Sequence, residues 1–332
     1  MQLANILSDR HYNHLPSWQI VYEWENEIAD ALGYTITNSP KNKLLMGLYT
    51  TQNGRLTNNR FTDYFDNFFS PKKYYSLYFE LYTRRNNGFY NNNRTIPIIV
   101  DYWNNSSTQK TKNNYQNCPA VLVTSLEVLN YFKTYKINER LIHFPMSLPS
   151  KFLLKPDTVF DKKYDIVLAG RANPVLLNYL KEFEQQHPEI EYLYQIMHKG
   201  SLYYSSNQRG IIGKFDTREE YLQLIRASRV SFYATPGIDG GEQRTGSFNP
   251  VTPRFFELLS AGCNIIARYP ENADTHFFEL PAICPSINTY DDFKEQLQTA
   301  LNNPSPVARN ADYLTKQYTS CRIPILLDIP FK

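Results

Sequence analysis

Short apolar runs alternate with helical patterns along most of the chain, and that alternation predicts its elements. Runs of strand length fall at Leu3–Leu7, Tyr34–Thr37, Leu44–Leu48, Ile96–Val100, Ala120–Thr124 and Leu141–Phe144, with helical spacing at Trp18–Leu32 and Leu126–Tyr135. A second series of strand-like runs begins at Tyr164–Ala169 and continues through Ile190–Ile196, Ile211–Lys214, Val230–Ala234 and Asn264–Ala267. Helical patterns at Pro174–Gln186, Thr217–Ala227, Pro253–Ala261 and Tyr290–Leu301 accompany it. Strand then helix, repeated, is the signature of parallel sheets covered on both faces. Pro145, Pro149 and Pro156 punctuate the stretch between the two series. The expectation is an α/β protein of two Rossmann-like domains, residues 1–150 and 151–332.

One segment, 55–94, breaks the rhythm and reads as an aromatic, basic helical insertion in the first domain. Phe61, Tyr64, Phe65, Phe68 and Phe69 share one helical face, and Ser70-Pro71 caps a second helix carrying Tyr74, Tyr75, Tyr78, Phe79 and Tyr82. Arg55, Arg60, Lys72, Lys73, Arg84, Arg85 and Arg94 outnumber Asp63, Asp66 and Glu80 there. A hairpin packed on its own domain accounts for this pattern. So does a surface resting on anionic headgroups or a lipid-linked substrate, which would make the protein peripheral on the inner face of the cytoplasmic membrane. Asn91–Asn93 and 104–117 read as exposed polar loops.

Composition narrows the classes. A chain of 332 residues, 42% hydrophobic and 20% charged, can bury two cores and is no disordered tail. Its net charge of +3 is too small to argue for nucleic acid. No apolar run approaches the ~20 residues of a membrane span. Asp9, Arg10 and His11 follow the start too closely for a secretory leader, so a cytoplasmic protein is expected. Cys118, Cys263, Cys284 and Cys321 have no paired spacing and read as reduced, buried thiols. The six histidines join no cysteine at ligand spacing, and no metal or cofactor is expected.

Candidate chemistry gathers where strands of the second series end, because ligands of open α/β sheets bind beyond the carboxyl ends of strands. Tyr164–Ala169 runs into Gly170-Arg171-Ala172-Asn173-Pro174, where Gly170 admits a close backbone approach and Arg171 offers a phosphate fork. A solvated arginine explains Arg171 equally well. Val230–Ala234 leads into a longer loop from Thr235 to Thr252 with four glycines, Arg244, Thr245 and Asn249, and then a helix opened by Pro253-Arg254. That suits a cradle of N–H groups for a diphosphate. Glu257, one turn into the helix, would repel phosphate and is better suited to neutral sugar hydroxyls. A favourable helix-dipole charge is its ordinary alternative.

The run Pro253-Arg254-Phe255-Phe256-Glu257-Leu258-Leu259-Ser260-Ala261-Gly262-Cys263-Asn264-Ile265-Ile266-Ala267 resembles the nucleotide-sugar half of GT-B glycosyltransferases, closest to the group-one, family-four-like transferases. Gly210-Ile211-Ile212-Gly213 and the helix and strand after it are similar as well, so the resemblance covers about 164–302. It implies two Rossmann-like domains facing a cleft, with a nucleotide-sugar donor in the second. Glu257 would hold ribose hydroxyls, and Arg171 with the Arg244–Thr252 loop would hold the diphosphate. Gly170, Lys214, Thr235, Thr245, Thr252 and Arg254 complete the expected donor contacts. Where retaining members carry a second glutamate, eight positions before Glu257, this chain has Asn249.

The resemblance implies a metal-independent glycosyltransferase acting on a glycan or lipid-linked acceptor, as in capsule or O-antigen polysaccharide synthesis. Arg171 and Arg244 would stabilise the departing diphosphate. For an inverting course Asp9 or His11, in the turn after the first strand, would serve as base; an ordinary polar loop is the alternative. Two other readings stay open: a non-catalytic nucleotide-sugar or glycan-binding protein, and a GT-B-type nucleotide-sugar epimerase. No G-x-G-x-x-G follows an expected strand, which disfavours a dehydrogenase.

Overall fold

The computed structural model describes residues 2–11, 13–14, 16–39, 74–81, 94–102, 107–170 and 172–330. The chain divides into two compact units. One comprises residues up to Pro149, Arg244–Gly246 and the chain from Thr319 onward; the other comprises Ser150–Gln243 and Ser247–Tyr318. Sequence order alone places everything after 150 in the second unit. The return of the C-terminal stretch is held by tertiary bonds: Arg322 donates to the carbonyls of Pro145 and Met146, and Ser147 meets Thr319 at 3.1 Å.

The first unit is a wholly parallel six-stranded sheet. Its elements are β1 (Gln2–Ser8), α1 (Gln19–Leu32), β2 (Thr35–Asn38), β3 (Tyr74–Glu80), β4 (Thr95–Ile99), α2 (Thr108–Tyr115), β5 (Val121–Val123), α3 (Leu126–Thr134) and β6 (Leu141–His143). The strand order is β2-β1-β3-β4-β5-β6, so the winding reverses between β1 and β3. Helix α1 ends where Gly33 takes the left-handed conformation, φ 68°, closing its last turn. Two expectations are corrected here. Tyr74–Glu80 is a strand and not a helix: Tyr75 through Glu80 are all buried, which a strand between two neighbours requires and a one-faced helix would not give. Thr108–Tyr115 is a helix and not a loop, because the Ser107 hydroxyl accepts from the Lys110 N–H and Thr111, Asn114 and Tyr115 supply a buried stripe. The expected strand Leu44–Leu48, most of the 55–94 insertion and Asn91–Asn93 lie outside the described residues.

In the second unit come β7 (Tyr164–Val167), α4 (Pro174–Gln186), β8 (Tyr192–His198), β9 (Ser201–Ser206), β10 (Gly210–Gly213) and α5 (Arg218–Arg226). They are followed by β11 (Ser228–Ala234), α6 (Pro253–Ser260), β12 (Asn264–Arg268), α7 (Ala273–Phe277), α8 (Leu280–Ile283), α9 (Tyr290–Asn302) and α10 (Val307–Leu314). A last helix, α11 (Ile323–Leu327), belongs to the first unit. The sheet order is β10-β9-β8-β7-β11-β12, with the winding reversed between β7 and β11. Strand β9, absent from the sequence reading, pairs antiparallel with both β8 and β10, so β10 recovers the direction of β7. Left-handed Lys199 and Gly200 make the β8–β9 turn. The core between sheet and helices joins Ile166, Leu176, Leu180, Phe183, Val230, Ile266, Phe293 and Leu297. Capping follows the sequence closely: Asn173 caps α4 ahead of Pro174, and Thr217 with Glu220 forms a capping box on α5.

All four cysteines are reduced thiols; three are buried, but Cys321 is exposed, correcting the expectation for that residue. It stands in the turn Thr319–Arg322, where the neighbouring Thr319 and Arg322 point inward instead. Among the described residues no helix is long and apolar enough to cross a membrane.

Candidate functional site

The carboxyl edge of the second sheet carries the candidate site. Gly170 closes β7's path with φ 76°, and a Cβ there would overlap the Arg254 guanidinium. The left-handed backbone angle favours glycine, and a side chain there would have to push the guanidinium aside. Arg254, in the first turn of α6, thus lies directly over the backbone at the β7/β11 switch point. Glu257 on the next turn is buried and pairs with Arg218 of α5, Oε1 to Nη2 2.7 Å, while the Tyr221 hydroxyl lies 3.5 Å from Oε2. Burial first, then the Glu257 charge, pushes the Tyr221 phenol well above its ordinary range. The Tyr204 hydroxyl on β9 accepts from Gln195 at 3.1 Å, and burial raises its pKa.

Two helix starts on this edge differ. Asn173 Oδ1 accepts from the Val175 and Leu176 N–H groups and so satisfies the first turn of α4, while its amide donates to Asp239 at 2.8 Å. Thr252, at the head of α6, makes no side-chain cap, and its N–H donates to the Tyr233 hydroxyl at 3.1 Å. Burial pushes that Tyr233 phenol up to about 12.

The loop after β11 is held by its own side chains. Thr235 donates to Asn249 Oδ1 at 2.9 Å, and Asn249 donates in turn to the Ser247 carbonyl at 2.8 Å. Asn249 therefore braces the loop with both ends of its amide. Asp239, left-handed at φ 54°, grips Arg268 through 2.6 and 2.8 Å bonds, and the guanidinium holds the Asp239 carboxyl below its usual range. A cavity of about 10 Å³ between β7, β11 and α4, lined by Leu168, Ala172, Leu176, Phe232 and Ala234 among others, has room for about one water.

The expected residues thus separate. Gly170, Arg254, Glu257, Thr235, Asn249 and Thr252 belong to this edge of the second unit. Lys214, at the end of β10, is exposed and paired with Asp216 at 2.7 Å. Arg244 and Thr245 stand on a short 3-10 turn grouped with the first unit, and Arg171 lies outside the described residues. Arg218, Tyr221 and Tyr204 were missed. Arg218 had one signal: a basic residue in the first turn of a helix opposes the helix dipole and calls for a reason.

At the β1/β3 switch point of the first unit the chemistry is acidic. Asp9 is buried and accepts from Ser39, from the Tyr78 hydroxyl at 3.1 Å and from Asn13 at 3.4 Å. His11 is exposed on the same turn. Behind Asp9, Glu25 of α1 accepts from Ser8 at 2.6 Å and Arg10 at 2.8 Å; burial pushes its carboxyl up to about 7 against the pull of those two donors. At the end of β3, Glu80 accepts from Tyr115 at 2.8 Å.

No protein-family model and no curated protein matches the sequence. Solved structures do match the fold. A Listeria monocytogenes structure described as a UDP-N-acetylglucosamine 2-epimerase is 8% identical, with 98% of this chain and 94% of that chain covered and a TM-score of 0.50. A DNA-modifying β-glucosyltransferase is 10% identical over 99% of this chain and 98% of its own, at a TM-score of 0.46. The GtfA/B complex gives 11% identity and a TM-score of 0.48, and there the match spans 81% of this chain but 60% of the other. The chain has the GT-B fold, in two doubly wound α/β units.

Proposed function

We propose that the protein is a glycosyltransferase that takes a sugar from a nucleotide-sugar donor, held by the second unit, and passes it to a glycan or lipid-linked acceptor. The observation that carries this reading is the seating of Arg254 over Gly170 at the β7/β11 switch point, beside Glu257. In the reaction the donor C1–O bond breaks and its electron pair leaves with the diphosphate. The acceptor oxygen bonds to C1 and gives up its proton. Arg254 meets the charge that grows on the diphosphate, which is the larger part of such catalysis. Glu257 takes ribose hydroxyls. Asp9, already the acceptor of three hydrogen bonds, acts as a fixed anion, and the exposed His11 is the base for an inverting course. Charge stabilisation by guanidinium groups leads us to expect activity that survives EDTA. A role in surface polysaccharide synthesis at the inner face of the membrane belongs to the same proposal.

The test is a calorimetric and thermal-shift screen of UDP, GDP, CMP, dTDP and their common sugars, with Glu257→Ala as control. One nucleotide should raise the melting temperature, since a ligand that binds only the folded state stabilises it by mass action. Silence across the whole panel would overturn the reading. The likeness to the epimerase structure, the one with a TM-score of 0.50, favours a second reading, interconversion of a free nucleotide sugar. Proton NMR of UDP-N-acetylglucosamine incubated with the protein and no acceptor separates the two: a new epimer signal selects the second.

A further inference from the structure

Arg218 and Glu257 form an ion pair that helix stability does not explain. Their side chains are only 12% and 7% exposed, and the guanidinium carbon lies 5.4 Å from the centre of the Phe152 ring. Removing two charges from water is costly, so such a pair is weak support for a fold. Arg218 begins α5 and Arg254 is in the first turn of α6, so both cations face the positive ends of their own helices. α5 packs against α6. The ionisable groups that act on the buried Tyr221 hydroxyl are Glu257, Arg254, Tyr204 and Arg218, which makes one contiguous cluster reaching from Gly170 to α5. Two guanidinium groups at helix starts, with one carboxylate a turn further on, suit a ligand that is anionic at one end and rich in hydroxyls at the other.

We propose that Arg218 is an exchangeable partner of Glu257: on binding a nucleoside diphosphate, ribose hydroxyls take the Glu257 carboxylate and Arg218 turns to the phosphates. The inference rests on the donor site proposed above. It makes recognition conditional on both halves of the ligand. A nucleoside alone draws Glu257 away from Arg218, and pyrophosphate alone draws Arg218 away from Glu257; each breaks the buried pair without supplying the other half of the exchange. Arg218 is then a specificity-determining residue, absent from the expected donor contacts, that rejects free pyrophosphate and free nucleoside alike.

Calorimetry tests this with UDP, GDP, CDP and dTDP, the matching nucleosides and inorganic pyrophosphate. The titrations use the wild type, Arg218→Gln, Arg218→Lys and Glu257→Gln. Arg218→Gln should weaken the bound diphosphate roughly 10- to 100-fold, the range of a charged hydrogen bond, and leave or tighten the nucleoside. Glu257→Gln should tighten pyrophosphate. Arg218→Lys should recover part of the loss, because it keeps the charge without the fork. Diphosphate and nucleoside affinities that fall together in Arg218→Gln, or that both stay unchanged, overturn the exchange while leaving the donor site standing. A wild type that binds no nucleoside diphosphate overturns both. Should Arg218→Gln fail to fold, Arg218→Lys decides: at least about a threefold loss of diphosphate affinity with the nucleoside unchanged is expected, and no loss overturns the proposal.

Discussion

The two units share a winding scheme and differ at the point where it reverses. At β1/β3 the first unit buries Asp9 under Ser39, Tyr78 and Asn13, with Glu25 and Glu80 close by in bonds of their own. At β7/β11 the second unit has a bare glycine backbone under Arg254, and Glu257 beyond it on Arg218. At the first edge Asp9 is spent on neutral donors, and at the second Glu257 is set against a guanidinium group. The same topology therefore fixes where a ligand can bind but not its charge, which a few side chains after the strands decide.

The largest expected effect breaks the second edge. Gly170→Val should lower nucleotide affinity about 100-fold, because a β-branched residue cannot hold φ 76° and moves the backbone at the strand end together with Arg254, with circular dichroism checking that the unit still folds. Asp9→Asn should cost the first unit about 2 kcal/mol in urea unfolding, because the new amide cannot accept from Ser39 and Tyr78 at once. The same variant should leave nucleotide binding unchanged, and a loss of binding would collapse the contrast between the edges. Arg254→Gln should weaken nucleotide binding about tenfold in calorimetry and spare the melting temperature.

A pH dependence sharpens the first edge. Glu25 has its carboxyl raised to about 7, so between its ordinary value near 4.5 and 7 the folded state holds more protons than the unfolded state. Stability from this group is then greatest below that window, falls as pH rises through it, and is flat above. Chemical denaturation from pH 4 to 8 should show the fall, at up to about 1 kcal/mol per pH unit, and Glu25→Gln should flatten it.

Much of the second unit was legible because its signals are local. Asn173-Pro174, Thr217 with Glu220 and Thr252-Pro253 mark helix starts that the structure keeps. The aromatic run at 74–80 misled, since tyrosines and phenylalanines at helical spacing are equally a strand buried on both faces, and only its neighbours β1 and β4 choose between them. Strand β9 escaped notice because Ser201–Ser206 is half serine and has little apolar pattern to read.

The candidate site divides along the same line. Gly170, Arg254 and Glu257 stand out by their types and spacing beside a strand end and a helix start, which are properties of adjacent residues. The pairing of Arg218 with Glu257 joins residues 39 positions apart and exists because α5 and α6 pack side by side. Asn249 turned inward on Thr235, and Asp9 enclosed by Ser39 and Tyr78, were decided the same way. The chain by itself determined the alternation of strands and helices, and so the α/β class, through periodicity and capping that act within a few residues. Which charges are buried, which are paired and which face a ligand depended on contacts between distant segments, and only the tertiary structure brings those together.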